Sequence, residues 1–425
     1  RWTAAIAATV FALSLHAAEN ENGAPLQDRD IVKAIQEQFV VDDLVPFEEI
    51  EVSSTDGIVD LEGQVSSLIA KSRATLIAET VRGVRSVSNQ IQVAPEPSVP
   101  PEQLTGFVTE AFLTDPVIDS YEIEVDANEH GVVTLVGTVD SWQEKQIASL
   151  VASSVAGVTA ITDQIDVVAK AVRPDSEIAR EIERRLDWSA LVDDSLIEVD
   201  VRDEVATLSG VVGSVAEKRE AADLAWVTGV DGVDAAPIKV ERWARDPDLR
   251  RDKYVERPDE AVSQAIQDAF RYDPRVKTQD VDSQVENGWV TLRGDVDNLL
   301  AKESAETVAR NTVGVDGGTN LLEVQPNEAI NDFQIESNIE SKLGRDPWDE
   351  FDNVNVIVES GKVTITGVVT DRFAKSRAES IVNATRGVTE VDNQLQMEEP
   401  ESVIIYDPYV WKFYPQPWEY YRDVP

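Results

Sequence analysis

Residues 56–65 read "DGIVDLEGQV", and close variants of that phrase return four more times. They are "HGVVTLVGTV" (130–139), "DEVATLSGVV" (203–212), "NGWVTLRGDV" (287–296) and "SGKVTITGVV" (360–369). The strand glycine falls at Gly63, Gly137, Gly210, Gly294 and Gly367, with spacings of 74, 73, 84 and 73 residues. A period of that size predicts five small domains in series rather than a tight solenoid.

Working outward from the phrase, each unit reads the same way. Upstream, apolar residues at i, i+4 and i+8 predict an opening helix with one narrow buried stripe. The stripes are Ile31/Ile35/Phe39, Leu104/Val108/Phe112, Ile178/Ile182/Leu186, Val262/Ile266/Phe270 and Ile335/Ile339/Leu343. Two strands follow, joined by a tight turn at Gly57, Gly131, Gly288 and Gly361, where positive φ is needed. Glu204 holds this place in the third unit, which predicts a different or looser turn there. The second strand alternates apolar and polar residues, so one sheet face is buried and the other wet. Next comes a helix with Ala74, Ala148, Ala221, Ala305 or Ala378 eleven residues after the strand glycine. Small residues there suggest close approach of helix and sheet, with the strand glycine clearing the opposing surface. A Gly-Val pair (Gly83-Val84 and its four counterparts) caps that helix, and a last strand such as "SVSNQIQV" (86–93) closes the unit.

The fold class expected is therefore α+β: five tandem αββαβ modules, each a three-stranded sheet with two helices on one face. Boundaries fall at 27–94, 101–168, 174–241, 257–325 and 330–397. Residues 242–256 read as a charged linker, and "APEPSVPPE" (94–102) and "KAVRPDS" (170–176) as two further linkers. Which neighbour the last strand takes is left open by the pattern.

The order helix, strand, "G-x-V-x-L-x-G-x-V", Ala-rich helix, "GV", "V-x-N-x-L-x-V" resembles the BON domain (bacterial OsmY and nodulation). The resemblance covers about residues 27–397, and five copies in register make it specific. It implies a non-catalytic envelope module linked to osmotic stress, envelope integrity, phospholipid contact and, by older naming, transport. The third unit departs most, with Glu204 at the turn, Ala206 for a strand Val, a residue lost before Gly229 and "DAAPIKV" (234–240) as its last strand.

Composition narrows the chemistry. The 425 residues contain no cysteine, which removes disulfides, thiolate metal sites and cysteine nucleophiles together. The formal charge is −42, a field that repels nucleic acid and anionic lipid headgroups unless a local basic patch overrides it. Beyond His16 only His130 exists, in a hairpin turn, and no nucleophile-elbow sequence accompanies it. Acidic runs at 41–43, 193–194 and 346–353 follow no EF-hand spacing and read as solvated surface. No nucleotide-binding glycine phrase occurs, so no cofactor, metal or small-molecule substrate is expected.

Three further expectations concern location and binding. Residues 1–18, "RWTAAIAATVFALSLHAA", have the shape of a secretory signal with a trimmed start, cleaved near Ala17 or Ala18, and imply a periplasmic protein. Lys71, Lys145, Lys218, Lys302 and Lys375 recur eight residues after the strand glycine. Each is either a stem covering apolar surface or a contact for an anion such as a lipid phosphate. The tail (398–425) gathers Tyr406, Tyr409, Trp411, Phe413, Tyr414, Trp418, Tyr420 and Tyr421, a strap over its own module or an anchor for a partner or membrane interface. The function expected is a multivalent scaffold of the stressed envelope, contacting phospholipid or envelope proteins. The rival reading is a soluble holdase for unfolded clients.

Overall fold

The computed structural model describes residues 27–397, except 43, 96–97, 119–122, 169–172, 247–252, 254, 277–279, 327–329, 348–350 and 352. The expected signal and the aromatic tail lie outside the described residues. Five modules with five separate apolar cores follow one another.

Module 1 shows the common plan. The opening helix Asp28–Val40 buries Ile31, Ile35 and Phe39, as the stripe predicts. Strand Ile50–Thr55 pairs antiparallel with Ile58–Val65, and Val59, Leu61 and Val65 are buried. The second helix, Leu68–Thr80, lays Ala70, Ala74 and Ala78 on the same sheet face. The chain then returns parallel to the second strand, which is thus central. This settles the open pairing: the crossover through the second helix allows a parallel neighbour, whereas the short hairpin requires an antiparallel one.

The last strand is interrupted in four modules. In module 1, Ser86–Asn89 and Gln92–Val93 both pair with the second strand, with Gln90 and Ile91 bulging between. Module 3 does the same with Gly232–Asp234 and Ile238–Val240, so "DAAPIKV" still completes the sheet. Module 2 keeps one unbroken strand, Ala160–Val167.

Two sequence expectations change. The strand glycines serve strand against strand, not helix against sheet. A Cβ at Gly63, Gly210, Gly294 or Gly367 would lie 1.9–2.0 Å from a carbonyl oxygen at the start of the first strand (Glu49, Leu196, Asp280 or Asn353). Gly137 keeps the same register, opposite Ile123. These glycines also hold φ between 118° and 138° where a value is given, which side chains resist. The turn of module 3 is not looser either. Asp203 and Glu204 adopt φ of 50° and 66°, matching Asp56 and Gly57 at 52° and 75°. Glu204 is held there because Asp175, at the start of the opening helix, accepts both turn amides at 3.1 and 3.3 Å. Asp28, Asp259 and Asp332 clamp their own turns in the same manner.

The modules are not beads on free linkers. Arg242–Arg245 forms a short 3-10 turn on module 3, and Lys253 is buried, donating to the Leu186 carbonyl at 2.7 Å and Asp194 at 2.9 Å. One contact recurs between modules, centred on the residue five after the strand glycine. Leu68 packs on the core of module 2, Val215 on that of module 1 and Leu299 on that of module 5. Trp142 takes this place in module 2 and stacks on Trp226 of module 3, ring centroids 3.6 Å apart. The polar partners repeat too: Arg219 meets Glu79, and Asn383 donates to Glu303 at 2.7 Å.

A second contact joins the end of one module's opening helix to the turn after another module's second helix. Val313 donates to the Trp188 carbonyl at 2.9 Å, linking modules 4 and 3. At equivalent positions Ala156 donates to the Arg345 carbonyl at 2.8 Å, linking modules 2 and 5.

Candidate functional site

Four of the five recurring lysines point inward. Lys145, Lys218, Lys302 and Lys375 donate to the carbonyls of Ile165, Ile238, Leu322 and Leu395 at 2.5–2.8 Å, each on the last strand or its bulge. Asn89, Asn320 and Asn393 complete a clamp, donating to the carbonyls of Lys71, Lys302 and Lys375 and accepting the amide two residues on. The Asn of "V-x-N-x-L-x-V" therefore fastens the interrupted strand to the second helix. Lys71 is half-buried at the same helical position. In modules 2 to 5 the lysine thus answers a backbone need of the last strand.

Described members of the acidic runs are likewise engaged internally. Asp42 accepts from Arg73 at 2.8 Å, and Asp346 accepts from Arg377 at 2.7 Å. His130 is exposed at the tip of its hairpin, its amide bonded to Asn128. Among the described residues no group of His, Asp and Glu could hold a metal. Among them, too, no helix is long and apolar enough to cross a membrane.

A different place has the form of a binding site. Where modules 2, 3 and 4 meet, the two inter-module contacts leave a cavity of about 350 Å³, within the range of small-molecule pockets. The second helix of module 2 (Trp142–Ser153) supplies Gln143, Gln146, Ile147 and Leu150. The opening helix of module 3 (Asp175–Trp188) brings Arg184, Arg185 and Trp188, and its second helix (Val215–Leu224) Glu220 and Leu224. Module 4 closes the far side with Ala265, Asp268 and Ala269 of Asp259–Phe270, the turn Tyr272–Arg275, and Val308 of Leu299–Arg310.

The polar groups fall into two sets. Arg185 is built into the wall: it donates to the carbonyls of Leu224 (2.6 Å) and Trp226 (3.2 Å), and its guanidinium lies 4.1 Å over the Tyr272 ring. Burial pushes its pKa down to about 10, against the opposing pull of Glu181, Glu220 and Asp223. Burial also raises the carboxyl pKa values of Glu220 and Asp223. The Tyr272 hydroxyl bonds Glu181 across the module boundary. Arg184 and Arg275 are held more loosely, by ion pairs of 3.6 Å to Glu181 and 3.8 Å to Asp273, both beyond hydrogen-bond reach. The Arg275 Nε is buried and has no hydrogen-bond partner.

Reading the sequence one repeat at a time missed this site, because no single module contains it. The visible signal was a set of aromatic departures from the repeat: Trp142 and Trp226 in the places of Leu68 and Glu79 of module 1, Trp188 at the end of one opening helix and Tyr272 just past another.

Comparison with known proteins agrees with the geometry of the repeat. The chain is 30% identical over 152 residues to Osmotically-inducible protein Y of Escherichia coli (strain K12), covering 34% of this chain and 75% of that protein. It is 30% identical over 170 residues to Outer membrane lipoprotein DolP of Haemophilus influenzae, covering 39% and 84%. Among solved structures, CdsD of the Chlamydia trachomatis type III secretion system is 15% identical over 48% of this chain and 90% of that one. Its TM-score of 0.14 supports no inference. The BON domain profile matches residues 27–95, 102–169, 174–242, 258–326 and 331–399, so this chain belongs to the BON domain family, five times over.

Proposed function

We propose that this chain is a non-catalytic protein of the bacterial periplasm, serving as a multivalent binding scaffold when the envelope is under osmotic or related stress. Its partners are phospholipid or other envelope components. One observation carries the reading: the described chain is built from five copies of one module, and the relatives sharing it are named for osmotic induction and for the outer membrane. The net charge of −42 disfavours nucleic acid, and an anionic lipid surface too unless a local basic patch meets it.

In this reading the modules act as one pre-assembled body. Binding then costs less ordering than it does for domains on free tethers. The lysine bonds fasten the last strand in modules 2 to 5. The aromatic tail, Tyr406 to Tyr421, is the proposed interface anchor, with rings buried and polar tips wet.

Flotation of the full chain with vesicles of phosphatidylethanolamine and phosphatidylglycerol tests the proposal. The expected result is co-flotation that weakens when residues 401–425 are deleted. A chain that stays at the bottom of the gradient, with vesicles and with envelope extract alike, overturns it.

A further inference from the structure

We propose that the cavity between modules 2, 3 and 4 binds a single-chain amphiphile with an anionic head. Its alkyl chain lies in the cavity, and its carboxylate or phosphate meets Arg184 and Arg275. The proposal rests on the envelope reading only for where such a ligand is encountered. The site itself stands on its geometry.

Shape argues for the chain. The wall that Ile147, Leu150, Leu224, Ala269, Val308 and Trp188 form is apolar over most of its extent. At about 30 Å³ for a water-sized group, the 350 Å³ hold on the order of ten methylenes. That suits one alkyl chain and is small for the two of an intact phospholipid. Leu150 is 61% exposed, an apolar residue at the mouth that a chain would cover on entry.

Polar chemistry argues for the head. Arg184 and Arg275 line the cavity, and their ion pairs of 3.6 and 3.8 Å leave guanidinium protons unspent. The Arg275 Nε is buried without an acceptor, which is costly unless something supplies one. The acids on the wall do not supply it. Asp268 is bonded to Arg271 at 3.1 Å, Asp273 accepts the Arg275 amide at 2.9 Å, and burial holds Glu220 toward its neutral form. An oxyanion satisfies planar guanidinium donors better than a neutral hydroxyl. In a chain so acidic, these two loosely held arginines are the groups suited to receive one.

The test is calorimetric titration of the delipidated full chain with dodecanoate, a twelve-carbon lysophosphatidylglycerol and dodecanol, each below its micelle concentration. The expected result is one saturable site, with at least one of the two anions bound roughly tenfold or more tighter than dodecanol. Which anion binds tighter identifies the source, free fatty acid or lysophospholipid. Arg275→Gln is expected to remove the advantage of the anion and leave dodecanol binding unchanged. Ala269→Leu, which fills the chain site, weakens all three. Absence of saturable binding, neither anion binding tighter than the alcohol, or undiminished binding in both variants overturns the proposal. If Ala269→Leu does not fold, the ligand series and Arg275→Gln still decide it. A chain that floats with vesicles but ignores these monomers sinks the cavity proposal alone. A chain that binds the monomers but neither vesicles nor envelope extract sinks the envelope reading alone.

Discussion

The seam between modules 3 and 4 and the seam between modules 2 and 5 are built on the same backbone contact, yet one is hollow and the other filled. In both, a residue just before the glycine that follows a second helix donates to the carbonyl at the end of a partner's opening helix. In both, a cation on that opening helix reaches back to its own module: Arg185 to Leu224 and Trp226, Lys342 to Ala384. The difference lies in the side chains around it. At the 2–5 seam Arg345 meets Glu110 at 3.0 Å and Thr114, Ser341 bonds Glu110 at 2.5 Å, and Arg386 takes the Asp115 carbonyl. At the 3–4 seam the equivalent places hold Trp188, Asp268, Tyr272 and Arg184, and a cavity remains. The backbone brings the helix ends together, and the side chains decide whether the junction is a rivet or a pocket.

The largest expected effect breaks the rivet. Arg345 is 4% exposed, and Arg345→Ala strands Glu110 and the groups around Thr114. Glu110 is partly in water, which softens the loss to about 2–3 kcal/mol. Urea unfolding should show it, and a change below about 0.5 kcal/mol would mean that the seam contributes little.

A matched pair of substitutions sharpens the contrast. Ala111 and Ala269 hold equivalent places, one buried in a packed module and the other on the cavity wall. Ala111→Leu is expected to cost about 1–3 kcal/mol by overpacking, and Ala269→Leu to stay within about 1 kcal/mol of wild type or add stability. Equal costs would show that the 3–4 seam is as full as the other.

Two smaller effects depend on pH. Burial pushes the Lys342 pKa down to about 8, against the pull of Asp115. The unfolded chain therefore holds more protons than the folded one between about 8 and the ordinary 10.5. Stability should rise with pH across that window, and Lys342→Met should remove the rise. At the 4–5 contact the sign reverses. Burial, with Glu379 and Glu306 nearby, raises Glu303 to about 6. Stability from this group should be greatest below the ordinary 4.5 and be lost as pH climbs through about 6. Glu303 is only partly shielded and remains in contact with water, so this is the weakest effect, seen as a shallow slope in melting temperature that Glu303→Gln flattens.

The module itself was legible because local rules dictate it. The i, i+4, i+8 stripes, the turn glycines and the strand alternation each follow from backbone geometry within one repeat. Three things were not legible, for physical reasons. The strand glycines gave no sign of what they approach, because a missing side chain fits a helix or a carbonyl equally well. The lysines recur visibly, but their target, a carbonyl twenty residues on, comes within reach only once the last strand has docked beside the second. The cavity joins residues from three modules, and no periodic pattern records a contact such as Tyr272 with Glu181.

The central claim is that modules distant in sequence assemble into one body, and the 2–5 seam is its most direct expression. The chain contains no cysteine, so Glu110→Cys with Ser341→Cys places two unique thiols where side chains now touch across 231 residues. Bonds from Lys342, Arg345 and Arg386 to Thr114 and Asp115 remain to hold the seam. Treatment of the dilute protein with a short bismaleimide should give an internally cross-linked monomer in high yield. Unlinked chains, or links only between separate molecules, would contradict the account.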